Sequence, residues 1–402
     1  MNHINIDDIR KYFPIYKSNP NFHYLDSAAT SLKPKCVIDA MNDYYENYGV
    51  NIHRGVYKMS YLASQKYEEA RSKVAKFIGA NDNEVVFCRN ASEGLNQIDL
   101  MLAKLLNKGD HILSTPLEHH SSILPWQARE KDGLVLDYID LDQDNRITLE
   151  NVKKTITSLT KVLAITYASN TMGYITNIKD IISYAHQKNI LVVVDAAQYI
   201  PHHKVDVKDI DCDFLVFSGH KMFGPTGIGV FYGKYNLLKK FEPLYYGGDM
   251  NADVNFHDVE IKKPPYCVEA GTPAIAEAIG LAKAMEFIEA IGYDAIQRKE
   301  QELLEYAQAK LKDIKEVEIY NPNTDLGIIN FNIEGIHPHD AATIFDSYDV
   351  ALRAGHHCAQ LVSRILNVNG TLRASIYVYN TKEDIDALIN AVKETIKFFN
   401  QF

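Results

Sequence analysis

The sequence predicts an α/β protein with a large domain on a mostly parallel sheet and a smaller α+β domain toward the C-terminus. Between residues 83 and 233, short apolar runs alternate with segments of helical periodicity, which is the pattern of β-α units. Continuous apolar runs such as LVVV indicate strands buried on both faces, as in parallel sheets. A chain of 402 residues also exceeds what one compact core usually supports, so we expect two domains.

The part of the chain between residues 83 and 233 contains six segments that we predict to be strands. They are EVVFCR (84–89), HILST (111–115), VLAITYAS (162–169), ILVVVDAA (190–197), FLVFSG (214–219) and GIGVFYG (227–233). Beyond residue 277 a long helical stretch leads into the strand-like segments VEIYN, IINFNI and ASIYVYN, and then into an amphipathic C-terminal helix. We therefore assign residues 20–285 to the large domain, and residues 1–19 with 286–402 to the small domain.

Composition and charge exclude several classes of function. The net charge of -10 argues against a nucleic-acid-binding surface, and no apolar run approaches the ~20 residues that span a bilayer. The N-terminus has neither the basic nor the apolar region of a secretory signal. Five cysteines without a CxxC pair do not form a disulfide framework. We expect a cytoplasmic protein that binds neither nucleic acid nor membranes.

Polar side chains stand where the predicted strands end. In open α/β sheets, ligands bind beyond the carboxyl ends of the strands. The residues at these ends are Ser92, His119, Asn170, Asp195, Gln198, Ser218, His220 and Lys221. So many functional side chains at strand ends indicate a binding site more than a packing pattern.

Asp195 and Lys221 together indicate a cofactor. An aspartate after a buried apolar run needs a positive partner, although a helix N-cap explains this residue equally well when it is taken alone. A single lysine after a strand is usually a surface residue, but Lys221 is followed by the glycine-rich run FGPTGIG, which permits close backbone approach. Pyridoxal 5'-phosphate (PLP) requires a lysine for its aldehyde and a carboxylate for its ring nitrogen. We therefore expect PLP.

The segment RNASEGLNQIDL could hold the phosphate of such a cofactor. The backbone amides near Ala91 and Ser92, with the Ser92 hydroxyl, would form an anion site at the start of a helix. The alternative is that Ser92 only caps this helix, with Glu93 in its first turn. The two interpretations are compatible, so this segment discriminates weakly.

Two pairs of adjacent histidines keep a metal site open as an alternative. His119 and His120 follow Glu118, and His356 and His357 precede a cysteine. Adjacent side chains of an extended strand point to opposite faces, which makes joint coordination difficult. No spaced Cys or His partners complete a zinc pattern. We expect an organic cofactor and no metal.

A series of short stretches in a fixed order carries a resemblance to a known family. These are LDSAATSLKP, NIHRGVY, EHHSSILPW, SNTMG, VDAAQ, DFLVFSGHKMFGPTGIG, EAGTP, RAGHHCAQ and RASIYVYN. From about residue 24 to residue 381 the chain resembles the SufS/CsdA-type (group II) cysteine desulfurases, PLP-dependent enzymes of fold type I in the class V aminotransferase superfamily. The resemblance implies a seven-stranded, mostly parallel sheet and a homodimer. Two segments differ from the family pattern, RNASEG and the proline-free CAQLV.

The resemblance implies roles around the cofactor ring. Lys221 would form the Schiff base, and Asp195 would hold the protonated pyridine nitrogen. Gln198 would hydrogen-bond the ring hydroxyl. His119 would stack on the ring and assist proton transfer.

It also implies a phosphate site and a substrate site. Ser92, Ser218 and His220 would hold the phosphate near Ala91, with Thr272 supplied by the other subunit. Asn170 would position substrate and cofactor, and Arg373 would bind the substrate carboxylate through a bidentate pair. The pair His53 and Arg54 resembles residues that reach the partner subunit's site.

Cys358 is the expected nucleophile. His356, His357 and Arg353 give it an electropositive setting that favours the thiolate, whereas a buried, inert thiol is the alternative. The resemblance implies that Cys358 takes sulfur from L-cysteine as a persulfide, leaving L-alanine. An acceptor such as a SufE-like or SufU-like protein would then receive the sulfur for iron-sulfur cluster assembly. A selenocysteine lyase or cysteine-sulfinate lyase on the same PLP scaffold remains the alternative function.

Overall fold

The computed structural model describes residues 4–401. The strands in this range are β1 (His23–Tyr24), β2 (Val85–Cys88), β3 (His111–Ser114), β4 (Val135–Tyr138), β5 (Thr160–Thr166), β6 (Leu191–Asp195), β7 (Phe214–Ser218), β8 (Gly229–Gly233), β9 (Asn251–Val254), β10 (Val259–Ile261), β11 (Val317–Ile319), β12 (Ile328–Ile333), β13 (Val350–Ala351), β14 (Arg353–Gly355) and β15 (Thr371–Ser375).

The α-helices in the same range surround and connect these strands. They are α1 (Pro14–Ser18), α2 (Lys35–Asp43), α3 (Lys58–Ile78), α4 (Ala91–Ala103), α5 (His120–Arg129), α6 (Leu149–Thr155), α7 (Ile178–Gln187), α8 (Val207–Ile210), α9 (Tyr235–Leu238), α10 (Ile275–Ile291), α11 (Tyr293–Lys312), α12 (Pro338–Asp346), α13 (Gln360–Ile365) and α14 (Lys382–Phe399). None of them is both long and apolar enough to cross a membrane.

The large sheet has the order β2-β8-β7-β6-β5-β3-β4. Strand β8 runs antiparallel to its neighbours β2 and β7, and the other pairs are parallel. Every residue of β2, β7 and β8 is buried, as their apolar sequences predict. The predicted seven-stranded, mostly parallel sheet is therefore confirmed.

Sequence patterning found six of the seven strands of this sheet and missed β4. This strand lies at the sheet edge beside β3 and is mostly half-buried. Asp137 interrupts its apolar run, and its side chain pairs with His111 of β3. A short edge strand with a charged residue gives no continuous apolar signal.

A second sheet, with the order β11-β12-β15-β14, is antiparallel throughout. Its predicted strand at ASIYVYN was wrong in position, because β15 ends at Ser375 and the following residues leave the sheet. Tyr377 and Tyr379 are nevertheless fully buried, because Tyr377 stacks on Phe223 and Tyr379 packs edge-on against Phe13. Aromatic packing between loops, rather than strand pairing, explains this apolar alternation.

The long helical stretch is two helices, which Gly292 separates with a φ of +83°. The N-terminal segment packs against later parts of the chain: the Ile4 amide donates to the Ala290 carbonyl at 2.9 Å, and β1 pairs with β13. Its Arg10 also pairs with Asp384 at the start of α14. The domain limits proposed from the sequence remain a prediction.

Candidate active site

A cavity of about 170 Å³ lies where β6 and β7 end and where α4 and α5 begin. Separate stretches of the chain between Ala28 and Arg373 converge on it, so its walls combine residues that are far apart in the sequence. The predicted site residues that line it are Ala91, Ser92, His119, Asn170, Asp195, Ser218, His220, Lys221 and Arg373. Arg353 and His357 line it as well.

Lys221 and Asp195 form the charged centre of the cavity. Asp195 is the last residue of β6, and its Oδ1 accepts a hydrogen bond from the Ala197 amide at 2.9 Å. Lys221 lies in the one-turn helix Gly219–Lys221 directly after β7. Burial lowers the pKa of the Lys221 amine to about 8, although the nearby Asp195 carboxylate opposes this change. Burial also raises the pKa of Asp195, and Lys221 limits that rise.

The start of α4, where an anion-binding end is expected, lies at the cavity. Its N-cap is Asn90, whose side chain accepts a hydrogen bond from the Glu93 amide at 2.9 Å, so the capping role considered for Ser92 was wrong. Ser92 instead lies in the first turn, where its Oγ is 2.5 Å from Ser121 Oγ. The Ala91 amide donates to Ser218 Oγ at 2.8 Å. Backbone and hydroxyl donors therefore surround the positive end of this helix.

A glycine allows this loop to lie on the sheet. A Cβ at Gly229 would come within 2.6 Å of the Asn90 Cα, which is shorter than real contacts. Since Gly229 pairs with both Cys88 and Ser218, it brings the start of α4 against the end of β7. This explains the glycine at the start of β8.

His119 is the N-cap of α5 and borders the cavity. Its Nδ1 accepts a hydrogen bond from the Ser121 amide at 3.1 Å, which leaves Nε2 as the protonated nitrogen of the neutral ring. Burial, followed by the charge of Lys221, lowers the pKa of His119 to about 3. The ring is therefore neutral at physiological pH.

The carbonyl of His220 receives several donors from one segment. The Ser31 amide, Thr30 Oγ1 and Lys33 Nζ donate to it at 3.0, 2.9 and 2.8 Å. Burial lowers the pKa of Lys33 to about 7 and that of His220 to about 4. These bonds fasten the turn that carries Lys221 to residues 30–33.

Arg373 lies in the middle of β15 and is 1% exposed. Its Nη1 donates to the Asn170 carbonyl at 2.8 Å, and its Nη2 pairs with Asp26 Oδ1 at 3.1 Å. Arg373 Nε and Asn170 Oδ1 are buried without a hydrogen-bond partner. Both side chains line the cavity, so a ligand there can satisfy these atoms.

Cys358 lies between the end of β14 and the first residue of α13, in residues 356–360, which we call the cysteine loop. Its side chain is half-buried, and Arg353 Nη2 lies 3.5 Å from its Sγ. His357 and Cys358 both have a positive φ, 52° and 55°. Cys358 is therefore beside a cavity-lining arginine rather than in an apolar core.

Four residues that the resemblance assigned to the site do not line this cavity in the single chain. Gln198 Nε2 donates to the Ala28 carbonyl at 2.7 Å, and Thr272 lines a separate cavity of about 400 Å³. His53 bonds Glu68, and Arg54 pairs with Asp249. Their roles stay predictions.

Within residues 4–401, no group of three or more His, Cys, Asp or Glu side chains could hold a metal. The rings of His119 and His120 are 6.3 Å apart and belong to the start of α5, not to a strand. The expectation of no metal stays a prediction.

Sequence reasoning missed the residues that hold the site in place. Asp26 holds Arg373, Lys33 holds the turn before Lys221, and Ser121 bonds both Ser92 and His119. Glu118 is fully buried, and its Oε1 accepts hydrogen bonds from the Thr166 amide and from Thr115 Oγ1. Among these residues, Glu118 gave a local signal in the sequence, because it is an acidic residue close to the end of a predicted strand.

Comparison with known proteins agrees with this arrangement. The aminotransferase class-V family matches residues 23–388, nearly the whole chain. The chain belongs to the class-V aminotransferase family. Among relatives in the family, a probable cysteine desulfurase from Halalkalibacterium halodurans (strain C-125) is 46% identical over 402 residues, 98% of this chain and 99% of that protein.

Solved structures extend the similarity to the fold. The apo structure of a cysteine desulfurase from Thermococcus onnurineus NA1 has a TM-score of 0.94 and 41% identity, covering 99% of this chain and 100% of that one. The crystal structure of the cysteine desulfurase CsdA (S-sulfonic acid) from Escherichia coli has a TM-score of 0.92 and 34% identity, with the same coverage. The predicted fold class and resemblance are confirmed.

Proposed function

We propose that this protein is a PLP-dependent cysteine desulfurase that takes sulfur from L-cysteine as a persulfide on Cys358 and releases L-alanine. The observation that carries the proposal is that Cys358 contacts Arg353, which lines the same cavity as Lys221, Asp195 and Arg373. A lysine and acid suited to PLP thus stand beside a carboxylate-binding arginine and an accessible thiol. The high identity to proteins named probable cysteine desulfurase supports the same reaction.

The residues around the cavity fit PLP. The buried unpartnered Asn170 Oδ1 and Arg373 Nε are polar atoms that a ligand would satisfy. Lys221 would bind the aldehyde, Asp195 would hold the ring nitrogen, and the start of α4 at Ala91 would bind the phosphate. Bound in this way, PLP withdraws electrons from the substrate's α-carbon.

Arg373 is suited to bind the substrate carboxylate. Its guanidinium is held by the Asn170 carbonyl and by Asp26, so its orientation is set before substrate arrives. A planar guanidinium binds a carboxylate through two parallel hydrogen bonds. This contact would orient the substrate sulfur toward the cysteine loop.

Lys221 and His119 are suited to move protons near the cavity. With its pKa lowered from 10.5 to about 8, the freed Lys221 amine has a far larger uncharged fraction near neutral pH than an ordinary lysine, so it can accept a proton. His119 stays neutral, since its pKa is lowered to about 3, and its Nε2–H can donate a hydrogen bond. Neither residue needs to carry a permanent charge.

Cys358 would attack the substrate sulfur as a thiolate. The Arg353 guanidinium, 3.5 Å from Sγ, favours the negative charge. The S–S bond of the persulfide would form as the substrate C–S bond breaks, so the sulfur stays on the enzyme. The electron pair of the C–S bond would pass to the substrate's β-carbon, which gains a proton to become the methyl group of L-alanine.

The proposal includes a homodimer, in which Thr272 and Arg54 approach the partner subunit's cavity. It also includes transfer of sulfur to a SufE-like or SufU-like acceptor for iron-sulfur cluster assembly. All five cysteines are free thiols, which suits a reducing cytoplasm.

The test compares Cys358→Ala with Cys36→Ala, which removes another half-buried cysteine. Each PLP-loaded protein is given L-cysteine and a reductant, and alanine and sulfide are measured. We expect turnover only in wild type and Cys36→Ala, with the visible cofactor band present in all three. Full turnover by Cys358→Ala would favour a lyase that needs no enzyme thiol, and absence of the band after adding PLP would refute the cofactor.

A further inference from the structure

The cysteine loop has a backbone conformation that it does not favour by itself. Two successive residues with side chains, His357 and Cys358, lie in the left-handed region. In this region the Cβ is too close to the backbone, so such residues persist only where other contacts hold them. The contacts that hold the loop therefore decide where Cys358 points.

Three residues more than ten positions away in the sequence hold the loop. Asn170 Nδ2 donates to the His357 carbonyl at 2.7 Å, and Thr371 Oγ1 lies 2.8 Å from His357 Nε2. The third is His120, which holds the loop at two points. Its backbone amide donates to the Cys358 carbonyl at 2.7 Å, and its ring Nε2 accepts a hydrogen bond from the Gln360 amide at 3.0 Å.

His120 differs from the other two in its position. Asn170 lines the cavity, and Thr371 is buried in β15, whereas His120 is partly exposed and does not line the cavity. It is the first residue of α5, directly after the cavity-lining His119. One helix start thus contacts the cofactor site with one histidine and the cysteine loop with the next.

We propose that His120 is a positioning residue that docks the cysteine loop on the start of α5 through the acceptor at its ring Nε2, and that gain of a proton by this ring releases the loop. The inference rests on the proposed role of Cys358 as the sulfur carrier. A docked loop holds Cys358 beside Arg353 for attack, and a released loop presents it to an acceptor.

The acceptor role requires a neutral ring with its hydrogen on Nδ1. A protonated ring carries a hydrogen on both nitrogens, so Nε2 would face the Gln360 N–H with a second donor. Burial, followed by the charge of His356, lowers the pKa of His120. The titratable groups around the ring are His119 on its own helix, and His356 and Cys358 on the loop.

The test measures amide hydrogen exchange of the peptide that contains residues 356–362 in the PLP-loaded full chain. His120→Leu removes the ring acceptor but keeps the backbone bond to Cys358. His120→Gln places an amide oxygen near the position of Nε2 and does not titrate. Thermal unfolding of each variant checks that the whole protein remains folded.

We expect exchange in this peptide to become about fivefold faster in His120→Leu, the factor for loss of one hydrogen bond, and to return near the wild-type rate in His120→Gln. After correction for intrinsic exchange, the wild type loses protection as the pH falls below 6.5, whereas His120→Gln does not. Equal exchange in all three proteins would overturn the docking role. An acid-induced loss that persists in His120→Gln would overturn the protonation step.

Alkylation of Cys358 by iodoacetamide gives a second readout, followed by mass spectrometry with Cys36 as the internal reference. Faster alkylation of Cys358 alone in His120→Leu supports release of the loop. These measurements do not depend on turnover. Failure of the docking role therefore appears here, whereas failure of the proposed function appears as turnover by Cys358→Ala.

Discussion

The strand ends that carry Asp195 and Ser218, and the cysteine loop that carries Cys358, meet at one cavity but are held in different ways. Strands β6 and β7 pair with each other inside the large sheet, and Asp195 and Ser218 are only 6% and 4% exposed. The cysteine loop has two left-handed residues, and their carbonyls bond to the Asn170 side chain and the His120 amide. The strand ends are fixed by the sheet, and the loop is fixed by a few replaceable contacts.

This difference matches the two halves of the proposed reaction. Proton transfer at the substrate's α-carbon needs groups held within a fraction of an ångström, which a continuous sheet provides. Sulfur transfer needs a thiol that reaches the substrate and later an acceptor, which a releasable loop provides. The chain thus separates a rigid region from an adjustable one within one site.

The largest expected effect comes from removing the amine at the strand ends. Lys221→Ala and Lys221→Arg should both lower turnover by about 10³-fold, because neither provides an amine to bind the cofactor aldehyde or accept the α-proton. Alanine formation and the visible cofactor band would both be measured. If Lys221→Arg kept most of its turnover, a positive charge at this position would be sufficient. The strand ends would then not need to hold a reactive amine.

Arg373→Lys should raise the KM for L-cysteine by about tenfold or more, with a smaller change in kcat. Lysine keeps the charge but cannot form two parallel bonds to the substrate carboxylate or keep the bonds to Asn170 and Asp26. The exposed Arg364→Lys on α13 is the matched control. Equal KM values in both variants would place the carboxylate site elsewhere.

Glu118, which is buried near the strand ends, should make the stability of the folded protein depend on pH. Burial and the nearby Asp195 raise its pKa to about 8, so the folded chain keeps a proton between pH 4.5 and 8 that the unfolded chain releases. Stability should fall as pH rises in this window, by up to about 1.4 kcal/mol per pH unit. Glu118→Gln should remove this slope in denaturant unfolding, whereas the exposed Glu316→Gln should keep it. A slope unchanged by Glu118→Gln would mean that Glu118 is ionised in the folded protein.

The smallest effect is expected at a cysteine held by the sheet. Cys212 is fully buried, and burial raises the pKa of its thiol, so it is protonated and unreactive at neutral pH. Cys212→Ala should change sulfide release by no more than about twofold, since buried thiols act as small apolar side chains. A large loss in sulfide release at unchanged stability would show that Cys212 is needed although it is buried. Solvent exposure would then not distinguish Cys358 from the other cysteines.

The same contrast explains how much could be predicted from the sequence. The central strands β6 and β7 were predicted because each is a continuous apolar run, and Asp195 and Lys221 were predicted because ligands bind at strand ends. The edge strand β4 has a charged residue in its middle, so its pattern is too weak. The position of β15 was missed because buried aromatic residues after it imitate a strand.

The contacts of the site were harder to predict than its chemistry. Asp26, Lys33 and His120 act on residues that are far away in the sequence, and such contacts leave no periodic pattern. Gln198 was noted at a strand end, but its role, like Thr272 itself, came from the resemblance. These predicted roles need a bound cofactor and a second subunit. Local patterns therefore indicate the reactive groups but not the framework that aims them.

One short segment, residues 26–33, touches both ends of the space where substrate would lie. At one end Asp26 holds the Arg373 guanidinium, and at the other Lys33 holds the carbonyl next to Lys221. One stretch of backbone thus sets where the carboxylate anchor and the amine lie relative to each other. Adding or removing one residue here would displace the two anchors relative to each other, while every reactive group stayed in the chain.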